Sequence, residues 1–335
     1  MSEEYELSKI LAQNLRRRNF APYNDKSFLN ENFLALKFAE IFGIEPNNNW
    51  IEAFKIITEG QGSEIRKINS LISSSLLSLL TFHKLFRNNN PGLCLEVKLP
   101  DNEKTVKFDQ CFFEVRNKVI SLPSCVDVAL YSTESNILLF LESKFTEIFS
   151  TCEKALYGKG YIDLYTNKHL IDTLSSRLKI GRNKSKGKEM LSLEVNGNGK
   201  HYIEGIKQSV SHLIGLVKGP AKSGQGYYPE EYYADYRKLY NNARELYYGT
   251  ILFEPSGLKE GNGSFEDYWN LYCDTIGMHG EEIIAGIREW IKARNKNCDK
   301  AKSIKVLNTP LTYQSLFKGE NSSLLTSEIR SFYSL

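Results

Sequence analysis

Two acidic residues and one lysine stand in neighbouring apolar segments of the chain. Asp127 lies in the first segment, Glu142 and Lys144 end the second, and the polar residues 132–136 separate the two. Two apolar runs joined by a short polar stretch are typical of a β-hairpin. If the turn centres on residues 134–135, Asp127 lies opposite Glu142 across the strand pair. The spacing therefore predicts two carboxylates side by side.

The lysine falls on the same face as the second carboxylate. Side chains alternate between the two faces of a strand, so Glu142 and Lys144 point to one side and Ser143 to the other. Carboxylates in an apolar hairpin repel each other and must be paired or bound to a metal. Mg²⁺ prefers oxygen ligands and is commonly held by one or two carboxylates together with substrate phosphate. The sequence thus predicts a Mg²⁺ site at Asp127 and Glu142, with Mn²⁺ able to substitute.

This pattern, Asp127 followed by Glu142-Ser143-Lys144, resembles the PD-(D/E)xK nuclease superfamily. The resemblance implies that Asp127 and Glu142 ligate Mg²⁺ and that Lys144 assists the attacking water. The literal Pro-Asp pair is absent, because Pro123 stands four residues before Asp127. An isolated ExK triplet is common by chance, and its alternative interpretation is a surface ion pair of little energetic value.

The resemblance also implies two supporting residues on helices. Glu64, at the start of the first predicted amphipathic helix, would be a further metal ligand, or else a solvated acid favoured by the helix dipole. Gln208, on the second such helix, would support the site, or else belong to that helix's polar face. His212 lies one turn beyond Gln208, and we interpret it as a core or surface histidine and not as a catalytic base.

Hydrophobic periodicity predicts the elements that position these residues. After the breaker Gly60-Gln61-Gly62, a helix with the N-cap Ser63 extends to about Arg87. The elements predicted after it are strands at 93–99, 108–115, 126–131 and 137–145, helices at 202–217 and 229–246, and a strand at 247–254. The region between residues 145 and 202 is interpreted as variable and polar.

The predicted class is α/β. The resemblance implies a restriction-endonuclease-like core, which consists of a helix, a mixed sheet of about four to five strands and helices on both faces. Helical extensions are expected at both ends of the chain. The expected parts are a helical N-terminal extension at 1–60, the catalytic core at 61–255, and a mainly helical C-terminal extension packed on the core at 256–335.

A basic stretch provides candidate contacts to nucleic acid. We interpret it as a flexible loop that contacts phosphates, or else as a solvated disordered loop. Its charged residues are Lys179, Arg182, Lys184, Lys186 and Lys188. A tyrosine-rich segment follows at 227–240, where helical spacing favours core packing over stacking on bases.

Bulk properties limit the classes of function. The net charge of +3 is small, so nucleic-acid binding would depend on a local basic surface. Six cysteines occur without a CxxC pair or a Cys/His cluster, which argues against a zinc site and a disulfide framework. The longest apolar runs are too short to span a membrane, and residues 1–20 are too charged for a secretory signal. We therefore expect a cytoplasmic protein without membrane contact.

These observations predict a metal-dependent endonuclease acting on DNA, restriction-like or defence-related, with duplex DNA the favoured substrate. A homodimer is left open. Repair, recombination and RNA-directed nucleases are alternatives in the same class. The alternative from a different class is a non-catalytic nucleic-acid-binding or interaction module with the same fold.

Overall fold

The computed structural model describes residues 31–58, 73–88, 90–100, 105–120, 123–165, 167–185, 187–197, 199–221, 229–254, 263–294 and 302–335. Its helices are Glu31–Phe42 (α1), Asn48–Thr58 (α2), Ser74–Phe82 (α3), Ile162–Tyr165 (α4), Lys168–Leu174 (α5), Ile203–Lys218 (α6), Glu230–Asn242 (α7), Gly263–Tyr272 (α8), Met278–Lys292 (α9), Tyr313–Leu316 (α10) and Ser327–Tyr333 (α11). Its strands are Leu95–Lys98 (β1), Thr105–Phe108 (β2), Gln110–Asn117 (β3), Ser124–Ser132 (β4), Ile137–Lys144 (β5), Lys154–Tyr157 (β6), Leu178–Ser185 (β7), Lys188–Val195 (β8), Glu245–Leu252 (β9), Ser303–Val306 (β10) and Leu311–Thr312 (β11).

A mixed sheet forms the centre of the molecule. Its strand order is β10-β9-β5-β4-β3, and the short β11 also pairs with β9. Strands β10, β9 and β5 are parallel, whereas β4 is antiparallel to both β5 and β3. The predicted α/β class with a mixed sheet is confirmed. Strands β1 and β2 form a separate antiparallel pair.

Helices cover both faces of this sheet, which is why every residue of β5 is buried. On one face, the hydroxyl of Ser143 lies 2.8 Å from that of Tyr313 in α10. On the other face, the ring of Phe140 packs edge-on against Tyr236 of α7. Two-sided burial explains why β5 is an apolar run in the sequence and not an alternating one.

The region between β5 and α6 contains structure that the sequence analysis missed. Strands β6, β8 and β7 form an antiparallel three-stranded sheet there. The basic residues predicted to lie in a loop are instead in the β7–β8 hairpin, where Lys179, Arg182, Lys184 and Lys188 are exposed, whereas Lys186 lies outside the described residues. The prediction of a loop was wrong because the alternation of Leu191 and Leu193, both buried, outweighs the basic composition.

The first predicted amphipathic helix is not one continuous helix up to Arg87. Residues 59–72, with the proposed cap Ser63, lie outside the described residues. Ser73 has an extended backbone, and its side chain accepts a hydrogen bond from the N–H of Leu76, so α3 begins at Ser74. The helix ends at Phe82, and one 3₁₀ turn follows. A continuous helix to Arg87 was therefore wrong, because Ser73 is a helix cap and not an interior residue.

The C-terminal part of the chain also contributes to the central sheet. Residues 263–294 form α8 and α9, joined by a π-helical turn at Cys273–Gly277. Beyond them, β10 and β11 pair with β9, so the sheet continues past residue 255. In the parts of the chain that the structure describes, no helix is both long and apolar enough to cross a bilayer.

Candidate active site

The β4–β5 hairpin has the register that the polar turn predicts. Ser132 pairs with Ile137 next to the turn, and the ladder runs to Val128 opposite Leu141. Asn136 takes the left-handed backbone conformation that a tight turn requires, with φ of 54°. One step beyond the last ladder pair, this register sets Asp127 opposite Glu142.

Glu142 and Lys144 form a buried ion pair on one face of β5. Lys144 Nζ donates to Glu142 Oε1 at 2.8 Å, and the residues are 4% and 3% exposed. Ser143 faces the opposite side of the sheet, so the predicted alternation is confirmed. The alternative interpretation of a surface pair is wrong, because both partners are withdrawn from solvent.

Asp127 completes the group from the neighbouring strand. It is partly exposed, and its Oδ2 accepts a hydrogen bond of 2.7 Å from the N–H of Ser143. Burial raises the pKa of Asp127 well above its usual range, and the carboxylates of Glu142 and Glu114 raise it further, against the opposing charge of Lys144. The site therefore resists ionisation of Asp127 in the absence of a cation.

Glu114 is a carboxylate that the sequence analysis did not identify. In the β3–β4 ladder, Phe113 pairs with Val128 and Val115 with Val126, so Glu114 faces Asp127. Its backbone is left-handed, with φ of 50°, which is uncommon for a residue within a strand. Glu114, Asp127 and Glu142 thus occupy one row across β3, β4 and β5.

His212 of α6 is the second residue that was missed as part of the site. It is 4% exposed, and its Nε2 lies 3.0 Å from Glu142 Oε2. Burial alone would raise the pKa of Glu142, but Lys144 and His212 outweigh burial and lower it to about 2. His212 is a core histidine, as one of the two interpretations predicted, and it also contacts the carboxylate of Glu142. Its position one turn after Gln208 was the only signal in the sequence.

Lys144 stays protonated although it is buried. Burial lowers the pKa of Lys144, but Glu142, Tyr202 and Glu147 outweigh it and raise the pKa well above the usual value. Glu147 follows β5 in a 3₁₀ turn, where its Oε2 accepts from the N–H of Phe145 at 2.8 Å. The ammonium group is thus a fixed positive charge beside Glu142.

The structure describes one of the two predicted supporting residues, Gln208. Gln208 is half-buried, and its Oε1 lies 3.5 Å from the hydroxyl of Tyr202, a long contact. Burial raises the pKa of Tyr202, and the nearby charge of Lys144 opposes this rise. Gln208 is thus connected to Lys144 through Tyr202. Glu64 lies outside the described residues. On the basic hairpin, Arg182 is paired with Glu189 at 3.2 Å.

The donor set suits an ion held by few protein ligands. Within the ranges that the structure describes, no three His, Cys, Asp or Glu side chains are arranged to hold a metal ion. Mg²⁺ commonly keeps several waters and needs only one or two carboxylates. Glu142 Oε2 is buried and has no well-directed hydrogen bond within those ranges, and an unsatisfied carboxylate oxygen is compensated by a cation. Asp127 and Glu142 therefore fit the ion that the sequence predicts.

Comparison with protein-family models, with curated proteins and with solved structures finds no match to this chain. Two carboxylates and a protonated lysine at the end of neighbouring strands can bind a divalent cation, place an ammonium group beside it and stabilise negative charge on a phosphate.

The tyrosines Tyr232, Tyr233, Tyr236 and Tyr240 are buried, which confirms core packing for this part of the tyrosine-rich segment.

Proposed function

We propose that this protein is a metal-dependent nuclease that hydrolyses phosphodiester bonds in DNA, with a restriction-endonuclease-like core. The proposal depends on one observation: the buried pair of Glu142 and Lys144 ends β5 directly beside Asp127 of β4. The order of α3, β3 to β5, α6 and β9 along the chain supports the fold assignment. A restriction-like or defence role for the enzyme is part of this proposal.

Each of the three residues has a distinct task. Asp127 and Glu142 would hold the divalent cation. Glu142 turns Oε1 towards Lys144, and its Oε2, which lies 3.0 Å from His212 Nε2, would face the ion. Bound Mg²⁺ or Mn²⁺ would supply charge stabilisation at the scissile phosphate and lower the pKa of a coordinated water. Lys144 would orient the attacking water and offset negative charge on the phosphate. Substrate approaches from the side of Asp127, because Asp127 is the more exposed of the three.

The wider surface is assigned to substrate binding. The exposed cations of the β7–β8 hairpin contact the phosphates of duplex DNA, as a local basic surface on a protein of net charge +3. Gln208 supports the site through Tyr202, and Glu64 is a candidate further ligand. Recognition of a base sequence would require other side chains in the grooves.

Cleavage of plasmid DNA tests the proposal. The full chain is incubated with supercoiled plasmid and Mg²⁺ or Mn²⁺, with and without chelator, alongside Lys144→Ala and the matched control Lys305→Ala. Lys305 pairs with Glu245 at 3.3 Å near the other end of the sheet. Cleavage that chelator and Lys144→Ala abolish, and that Lys305→Ala retains, supports the nuclease. Cleavage that survives in Lys144→Ala overturns the assignment of the site.

A second candidate is a non-catalytic nucleic-acid-binding or interaction module. The observation that favours it is the direct hydrogen bond from Lys144 to Glu142, which a purely structural ion pair would also show. Gel-shift binding of DNA or RNA without cleavage of either, in Mg²⁺ and in Mn²⁺, would select this module. Cleavage of RNA alone would select a nuclease for RNA.

A further inference from the structure

Several buried polar atoms around Glu142 lack well-directed hydrogen bonds. Among the residues that the structure describes, these are Glu142 Oε2 and both ring nitrogens of His212. These atoms belong to one region, because His212 Nε2 lies 3.0 Å from Glu142 Oε2. A buried polar atom without a partner costs about 1–3 kcal/mol. Such a concentration indicates a bound ion or water.

The contact between Glu142 and His212 has the dimensions of a ligand pair. Oε2 and Nε2 lie 3.0 Å apart, yet neither atom has a well-directed hydrogen bond. Two neighbouring ligands in an octahedral shell, each roughly 2.1 Å from the ion, are themselves about 3.0 Å apart and do not point at each other. An ion placed between them would satisfy both atoms at once.

The surroundings hold both groups in place. Lys144 binds the other oxygen of Glu142, so the carboxylate cannot rotate freely. The ring of His212 packs at 5.9 Å from that of Tyr248, whose hydroxyl donates to Ser209 Oγ at 3.1 Å. A packed ring and a tethered carboxylate form a preorganised pair of donors.

We infer that His212 is a metal ligand together with Glu142, and that the site therefore prefers Mn²⁺ or another transition-metal ion over Mg²⁺. Imidazole nitrogen binds transition metals well, whereas Mg²⁺ prefers an all-oxygen shell. Asp127 is not positioned to form a three-residue site with them in the described arrangement, so it would join through a shift of its side chain, and water provides the remaining ligands. This inference rests on the proposed function for the task of the ion, but its test does not depend on cleavage.

Metal binding to the full chain is the direct test. Mn²⁺ and Mg²⁺ are titrated calorimetrically into the wild type, His212→Asn and the matched control His201→Asn. His201 also pairs with a carboxylate, Asp267, at 2.7 Å, and both lie outside the group of unsatisfied atoms. Because loss of even an outer-shell partner costs about 10- to 100-fold in affinity, His212→Asn should weaken Mn²⁺ binding at least tenfold. His201→Asn should bind Mn²⁺ as the wild type does, and Mg²⁺ should bind the wild type more weakly than Mn²⁺.

Pulsed electron paramagnetic resonance gives a readout that a structural histidine would not change. Wild-type protein carrying ¹⁵N-histidine should show nitrogen coupling to bound Mn²⁺. Absence of that coupling, absence of Mn²⁺ binding, or equal affinity in His212→Asn would each overturn the inference. If His212→Asn fails to fold, the wild-type spectrum decides. Nitrogen coupling without cleavage of any nucleic acid would reject the proposed function but support His212 as a metal ligand. Chelator-sensitive cleavage without nitrogen coupling would support the proposed function but reject His212 as a metal ligand.

Discussion

Replacing Lys144 with methionine tests whether Glu142 and Lys144 are a truly desolvated pair. Methionine keeps an unbranched apolar stem and removes the charge. The two side chains are 6% and 4% exposed, so the relevant reference is a buried pair. Removing one partner of such a pair costs about 3–5 kcal/mol, because the other charge stays buried without compensation. His212 still faces Glu142 Oε2, so we expect the lower end, about 3 kcal/mol.

Equilibrium unfolding in urea at neutral pH, without metal, measures this loss. For a chain of 335 residues, about 3 kcal/mol corresponds to a fall of roughly 4 °C in the midpoint of thermal unfolding. Adding Glu142→Gln to Lys144→Met should recover part of the loss, since the uncompensated charge is then gone. The control Lys305→Met breaks a pair whose side chains are 28% and 35% exposed, and should cost less than about 1 kcal/mol.

Two results would refute this reasoning. Lys144→Met could cost no more than Lys305→Met, which would show that solvent reaches the pair. The double variant could also lose the full sum of the two single losses, which would show that the charges do not interact. Either result would show that the charge of Lys144 is not what lowers the pKa of Glu142.

Asp127→Asn should stabilise the metal-free protein while abolishing cleavage, because burial and adjacent carboxylates raise the pKa of Asp127 and penalise its ionised form. The gain should be larger at about pH 7 than at about pH 4; equal gains in urea unfolding would contradict it. For Glu142 the dependence on pH is reversed: burial raises its pKa, but the contacts with Lys144 and His212 lower it from 4.5 to about 2. Glu142→Gln should thus cost about 3 kcal/mol at neutral pH, a cost that shrinks as pH falls from 4.5 towards 2 in an acid series of unfolding measurements. A cost that is constant with pH would refute this. Changing Arg182, Lys184 and Lys188 to glutamine should weaken duplex binding and reduce the slope of log K against log salt by about 3. Fluorescence anisotropy at several salt concentrations checks this, and an unchanged slope would exclude the hairpin as a phosphate contact.

The hairpin at the site could be predicted because its rules are local. The length of the polar turn sets the register, and the two-residue period of a strand sets the face, so Asp127, Glu142 and Lys144 follow from spacing alone. The same rules failed for β7 and β8, where a basic composition concealed the alternation of Leu191 and Leu193. They also failed for β10 and β11, which are too short to show a period.

Residues that reach the site from other elements could not be predicted in this way. His212 contacts Glu142 only because α6 packs on that face of the sheet. Glu114 faces Asp127 only because β3 pairs with β4 in one register out of several. Neither position carries a motif, since such proximity depends on packing between segments distant in sequence.

The sequence by itself determined which side chains share a strand face, because alternation and turn length are properties of adjacent residues. The tertiary structure decided what those side chains experience. Packing of helices on both faces of β5 withdraws Glu142 and Lys144 from water, and α6 brings His212 to the second carboxylate oxygen of Glu142. Burial and neighbouring charge are set by many distant residues together, and they separate a surface ion pair from a candidate metal centre.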